Sequence, residues 1–163
     1  MPSNLIRVSE EAINLERVNH ALSDAQCGAE LVFVGVVRDK NEGRRVTAVT
    51  YEAFVPLAKK TLLALANEVR EKVGPPLRVA LLHRLGTLQV GEISTVIGVS
   101  SPHRSESYDA SRYLIEQIKL RLPVWKEEHY IDGSRDWLDG VELAPKGGSG
   151  DTSGRTIIAH GRE

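Results

Sequence analysis

The run Glu30-Leu-Val-Phe-Val-Gly-Val-Val37 constrains the fold more than any other stretch of the chain. Seven of its eight residues are apolar or Gly, and several are β-branched. That composition favours extended backbone, and eight residues are too few for a helix of ordinary length. The run predicts a strand buried on both faces. Arg38 follows at once, so a cation is expected where a core strand reaches the surface. Asp39-Lys40-Asn41-Glu42-Gly43 reads as a polar turn. Val46 to Phe54 is the next strand, joined by so short a loop that antiparallel pairing with the first is expected.

Helical periodicity takes over after Pro56, a residue suited to the first turn of a helix. Ala58, Leu62, Leu65, Val69 and Val73 form an apolar stripe, with Lys59, Lys60, Glu68, Arg70 and Glu71 on the other side. Gly74-Pro75-Pro76 ends it. Two strands follow, Leu77 to Leu85 and Ile93 to Ser100, separated by a connection from Gly86 to Gly91. A second helix is predicted from Ser105 to Leu122, striped by Ser111, Leu114, Ile115, Ile118 and Leu122 and stopped by Pro123. Near the N-terminus, Ile6 to Val8 reads as a short strand and Leu15 to Leu22 as a short helix. Strand pairs with helices interposed predict an α+β fold, helices packed on a mostly antiparallel sheet. One domain is expected over residues 1–143. Residues 144–163, rich in Gly, Ser and charge, are expected to be a flexible C-terminal extension.

Composition narrows the function classes. Lys plus Arg number 21 and Asp plus Glu 22, a net charge of -1, which argues against a general nucleic-acid binder. A local basic pocket remains compatible with that sum. Cys27 is the single cysteine, which excludes an internal disulfide framework and any multi-cysteine zinc site. The five His form no HxxxH or HxH pair, so no metal and no cofactor are expected. No stretch reaches the ~18 apolar residues of a membrane span, and the expectation is a cytoplasmic protein that binds no membrane.

Several segments could carry chemistry. Ser101-Pro102-His103-Arg104-Ser105 lies between a strand and a helix start, where free backbone N–H groups beside Arg and His suit an anion. The plainer explanation is a capping Ser105 and a solvated Arg104. Lys119 falls at the border of the helix's apolar stripe, where a partly desolvated amine can act as nucleophile or base. The plainer explanation is snorkelling. In Pro123-Val124-Trp125-Lys126-Glu127-Glu128, a buried Trp would anchor a loop and fix Lys126, a second candidate amine, with Glu127 or Glu128 to tune it or to pair with Arg104. An ordinary anchored loop is the alternative. Arg38 could join the same basic pocket or only cap a sheet edge. His83, between Leu82 and Arg84, reads as a core-margin histidine, and Cys27 lacks an evident base.

In order along the chain these pieces resemble the large, catalytic subunit of molybdopterin synthase. The resemblance rests on Phe33-Val34-Gly35 with Val37-Arg38, Tyr51-Glu52-Ala53-Phe54, His83-Arg84-Leu85-Gly86 and Val90-Gly91-Glu92. It continues through Ser101-Pro102-His103-Arg104, Lys119-Leu120 and Pro123 to Glu128, and ends at Gly133 and Trp137, so it covers residues 28–138. It implies an α/β hammerhead fold and a homodimer within a heterotetramer. It also implies a small ubiquitin-like sulfur-carrier subunit whose C-terminal Gly-Gly bears a thiocarboxylate. The implied reaction inserts two sulfurs into cyclic pyranopterin monophosphate and forms the dithiolene of molybdopterin. Lys119 and Lys126 correspond to the family's catalytic lysines. Arg38 and His103-Arg104 correspond to its phosphate-holding residues, and Val36, Val37, Glu127 and Glu128 complete its substrate-binding stretches. Glu127 stands where many members carry a second basic residue, which makes this pocket less positive.

Two other readings use the same residues. A non-catalytic module could keep the fold to bind a ubiquitin-like partner or a pterin, which the retained Lys119 and Lys126 disfavour. A phosphate-ester hydrolase could use His103 with a carboxylate, but the sequence supplies no metal site for it.

Overall fold

A computed structural model describes residues 4–138. The expected extension at 144–163 lies outside them. The elements in order are β1 (Leu5–Ser9), α1 (Leu15–Leu22), β2 (Ala29–Val36), β3 (Lys40–Asn41), β4 (Arg44–Ala53), α2 (Val55–Val73), β5 (Arg78–Arg84), β6 (Gly86–Gln89), β7 (Ile93–Ser101), α3 (Arg104–Arg121), β8 (Val124–Tyr130) and β9 (Arg135–Leu138).

Side chains alternate across a strand, so a central strand can feed two cores at once. The first sheet does this in the order β1-β5-β7-β2, with β1 parallel to β5 and the other pairs antiparallel. Val79, Leu81, Ile97 and Val99 face the larger core, closed by Ala58, Leu62, Leu65 and Val69 of α2 and by Ala110 and Leu114 of α3. Ala80, Leu82 and Val96 face α1, which buries Val18 and Leu22 against them. Gly98 lets α1 come this close: a Cβ there would lie 2.7 Å from Leu22 Cδ1 and 3.3 Å from Val18 Cγ1. The fold is α+β, with helices packed on a mostly antiparallel sheet, as the spacing predicted.

The second sheet runs β3-β4-β8-β9, with β6 also paired to β4. Its core is Val37, Val46, Val49, Leu88 and Tyr130. Asn41 and Arg44 are held opposite each other by the two-residue turn Glu42-Gly43, both with positive φ, the signature of a tight hairpin that matches strand twist.

Four expectations fail for identifiable reasons. The run at 30–37 is not buried on both faces: β2 is an edge strand, with Phe33 39% and Val36 53% exposed. Its partner is β7, not the strand at 46–54, because β4 belongs to the other sheet. The connection from Gly86 to Gly91 contains β6, whose Thr87 and Leu88 pair with Thr50 and Val49. The Trp-Lys segment is not a loop anchored by a buried Trp. It is β8, and Trp125 is 38% exposed on it. None of the described helices is long and apolar enough to cross a membrane.

Candidate active site

β8 carries Lys126, Glu128 and Tyr130 at every second position, hence on one face of the sheet. Glu128 is 3% exposed, and a carboxylate so deep must be compensated. Its Oε2 accepts hydrogen bonds from Asn41 Nδ2 at 2.9 Å and from the Tyr130 hydroxyl at 2.9 Å. Its Oε1 faces Lys126 Nζ at 3.5 Å. Burial, then the adjacent Glu128, push the Tyr130 phenol up to about 12, so it remains a donor at neutral pH. The ring of Tyr130 is covered by the Arg44 guanidinium at 3.5 Å, itself tied to Asp136. Arg38, exposed just past β2, donates from Nη2 to Asn41 Oδ1 at 3.0 Å. The structure therefore links Arg38, Asn41, Glu128 and Lys126 in one chain of polar contacts.

Glu127, by the same alternation, lies on the opposite face. It faces His129 Nε2 at 3.1 Å and Arg135 at 3.8 Å, away from Lys126 and Glu128. Neither Glu127 nor Glu128 pairs with Arg104. Val37 is buried, its N–H donating to Glu92 O and its carbonyl accepting from Gly91 N, while Val36 follows a register shift at the end of β2. These backbone bonds fix the point from which Arg38 projects.

α3 starts at Arg104, one residue earlier than predicted, with His103 rather than Ser105 at its N-cap. His103 and Arg104 are exposed. The turn before them is pinned by Ser101 Oγ, which donates to His103 O and shares a hydrogen bond with Ser107 Oγ, and by Gly28 N donating to Pro102 O. Ser107 Oγ also lies 3.2 Å from Ala29 O. Further along α3, Ser111 and Ile115 line a cleft of about 300 Å³ with Leu31, Val32 and Phe33 of β2. α3 thus runs beside β2 in the same sense. His103-Arg104 sits at the start of β2, and Lys119 is carried toward the end that bears Arg38.

Lys119 is exposed, so the seat half against apolar surface expected of it is not provided. Arg104 and Lys119 are fifteen positions apart on one rigid helix, about 22 Å at 1.5 Å per residue. Arg38, Glu128 and Lys126 are brought together. His103-Arg104 does not join them within one chain.

His83 packs edge-on against Tyr51, centroids 5.1 Å apart, and Nδ1 lies 2.9 Å from Arg84 O. Burial pushes it down to about 4. The folded chain thus keeps His83 neutral where an unfolded chain, titrating near 6.5, takes up a proton. Its contribution to stability is whole above pH 6.5 and is lost as pH falls toward 4. Melting curves between pH 7.5 and 4 will accordingly show a shallower acid-side fall in Tm for His83→Gln than for the wild type, each scaled to its own value at pH 7.5. Parallel curves would remove His83 as a cause.

Sequence reasoning missed Asn41 and Tyr130. The signal for Tyr130 was the period-two spacing Lys126, Glu128, Tyr130, legible once 124–130 is taken as a strand. Asn41 gave no signal beyond a polar turn.

A family model described as "MoaE protein" matches residues 8–121. The molybdopterin synthase catalytic subunit of Synechococcus elongatus is 40% identical over 151 residues, covering 93% of this chain and 92% of that protein. The protein of the same name from Rattus norvegicus is 36% identical over 141 residues, covering 86% and 70%. The crystal structure of molybdopterin synthase from Staphylococcus aureus superposes with a TM-score of 0.78 at 36% identity, covering 82% of this chain and 96% of that one.

Proposed function

This chain belongs to the MoaE family, and on that premise we propose that it is the catalytic subunit of a molybdopterin synthase. It is an enzyme of molybdenum cofactor biosynthesis that transfers sulfur. Its substrate is cyclic pyranopterin monophosphate, and its sulfur donor is the C-terminal thiocarboxylate of a small ubiquitin-like carrier subunit. Each transfer forms a carbon–sulfur bond on the pterin side chain in place of a carbon–oxygen bond, water attacking the carrier's acyl carbon breaks its carbon–sulfur bond and leaves a carboxylate, and two transfers make the dithiolene.

The observation that carries this reading is the pairing of Lys126 with a buried carboxylate that also reaches Arg38 through Asn41. Both reactants are anions. Fixed cations aimed at one point attract them and stabilise charge that develops as the carbon–sulfur bond to the carrier breaks. Lys126, held on a strand, is placed to move a proton or clamp the phosphate. Lys119, on the last turn of α3, serves as the amine at the reacting carbon, and docking of the carrier's tail would supply the desolvation that one chain alone does not give it.

His103-Arg104 then belongs to the neighbouring site of a homodimer. Among the described residues β2 presents an unpaired edge with Phe33 and Val36 exposed on it, and an edge of this kind is a template for another chain. Two-fold antiparallel pairing of β2 with a second β2 sets the start of one strand beside the end of the other. It would carry His103-Arg104 of each copy to the Arg38 end of its partner. The start of α3 adds its own partial positive charge toward the pterin phosphate.

The test is to incubate the protein with cyclic pyranopterin monophosphate and a thiocarboxylated carrier. Dithiolene formation is expected. Its absence where an established synthase turns over would overturn the assignment.

A further inference from the structure

We propose that Asn41 is a positioning residue that sets Arg38 and Lys126 at a fixed separation through Glu128, an inference that rests on the function proposed above. Its side-chain amide spans two groups of opposite need. The Arg38 guanidinium has only donors and can bond only the Oδ1 side, at 3.0 Å. The Glu128 carboxylate has only acceptors and can bond only the Nδ2 side, at 2.9 Å. Chemistry alone therefore fixes the amide's orientation, and no other uncharged side chain of that length offers both a donor and an acceptor.

The surroundings leave Asn41 little freedom. It sits in a two-residue strand whose register is set by the Glu42-Gly43 turn, with Arg44 opposite. Glu128 accepts at the same Oε2 from the Tyr130 hydroxyl and is 3% exposed. Arg38, by contrast, is an exposed side chain at a strand end, and Asn41 is the partner that orders it. A long side chain ordered before substrate arrives loses less freedom on binding. Asn41 touches neither reactant in this arrangement. It acts through Arg38, which meets the pterin phosphate, and through Glu128, which holds Lys126.

The variants are Asn41→Ala, which removes both bonds, and Asn41→Asp, which keeps the acceptor for Arg38 but sets a carboxylate against Glu128. Kinetics with wild-type carrier should show the pterin KM rising at least about tenfold in Asn41→Ala, with the carrier KM unchanged. Asn41→Asp should show a rise in pterin KM and also lose kcat, because repulsion drives the two carboxylates apart, pulling the acceptor away from Arg38 and displacing Glu128 and with it Lys126. The double variant Asn41→Asp, Glu128→Gln restores a carboxylate–amide pair with the polarity reversed, and it should recover pterin KM relative to Asn41→Asp alone. A pterin KM within twofold of wild type in a folded Asn41→Ala protein overturns the proposal. So does a rise in pterin and carrier KM in equal proportion, which would mean general loosening.

A readout without turnover separates this inference from the functional assignment. In nitrogen-15 spectra of the full chain, the Arg38 guanidinium protons should exchange more slowly in wild type than in Asn41→Ala. Should the wild type make no product, the synthase reading falls, and the spectra still decide: equal Arg38 exchange in both proteins overturns the positioning role.

Discussion

Lys119→Ala and Arg104→Ala proteins, each nearly inactive alone, will regain about a quarter of wild-type sulfur transfer when equal amounts are unfolded together and refolded as mixed dimers. The expectation follows from helix geometry. Lys119 and Arg104 lie fifteen positions apart on α3, about 22 Å, too far for one small substrate to span. If both serve one pterin, they come from different copies. In a mixed dimer one site then holds an intact lysine and an intact arginine, and the other holds neither. Random assortment makes half the dimers mixed, and one site of two in each is whole. Both side chains are exposed, so neither substitution should disturb the fold. Removing a positioned proton-transfer or nucleophilic amine costs about 10²–10⁴-fold and removing a donor that stabilises developing charge about 10²–10³-fold, so the parent proteins give a dark background. Zero recovery from dimers shown to be mixed would place both residues in one copy's site and overturn the shared site, whereas an active parent would show that its residue is dispensable.

Much of this arrangement was legible in the sequence, and the limits are instructive. The helices were found because a 3.6-residue stripe survives almost any tertiary context: Ala58, Leu62, Leu65 and Val69 are buried as their spacing requires. The burial of β2 is not legible in sequence, because an apolar run does not say whether its second face is covered by the rest of the chain. Among the described residues Phe33 and Val36 stay 39% and 53% exposed. The segment after Pro123 reads as a loop because Trp-Lys-Glu-Glu has no apolar alternation. Its alternation is polar: Lys126 and Glu128 face Tyr130's side and Glu127 and His129 the other, with each charge paired inside the sheet. Hydropathy cannot detect a strand stabilised in that way. The convergence of Arg38 with Lys126 depends on Asn41, eighty-seven positions from Glu128, and no local pattern reports a contact of that range.

Glu128 should separate stability from catalysis. In Glu128→Ala the Asn41 amide and the Tyr130 hydroxyl lose their acceptor in a buried place. Two unsatisfied donors and the void left by the side chain should cost about 2–4 kcal/mol, read as a lower midpoint in urea with an unchanged slope. Glu128→Gln has another outcome. Its carbonyl oxygen can replace Oε2 and keep both donors satisfied, so stability should stay within about 1 kcal/mol of wild type. The amide NH₂ then takes the place of Oε1 and turns a donor toward the Lys126 ammonium, where an acceptor stood at 3.5 Å. Lys126 loses its tether and swings from its place, so sulfur transfer should fall at least about tenfold in a protein that is nearly as stable. Stability and activity would fall together in Ala and part company in Gln. If Glu128→Gln turned over at the wild-type rate, the carboxylate would be a structural group that happens to lie beside Lys126, and the chain of contacts from Arg38 would end at the fold rather than at the chemistry.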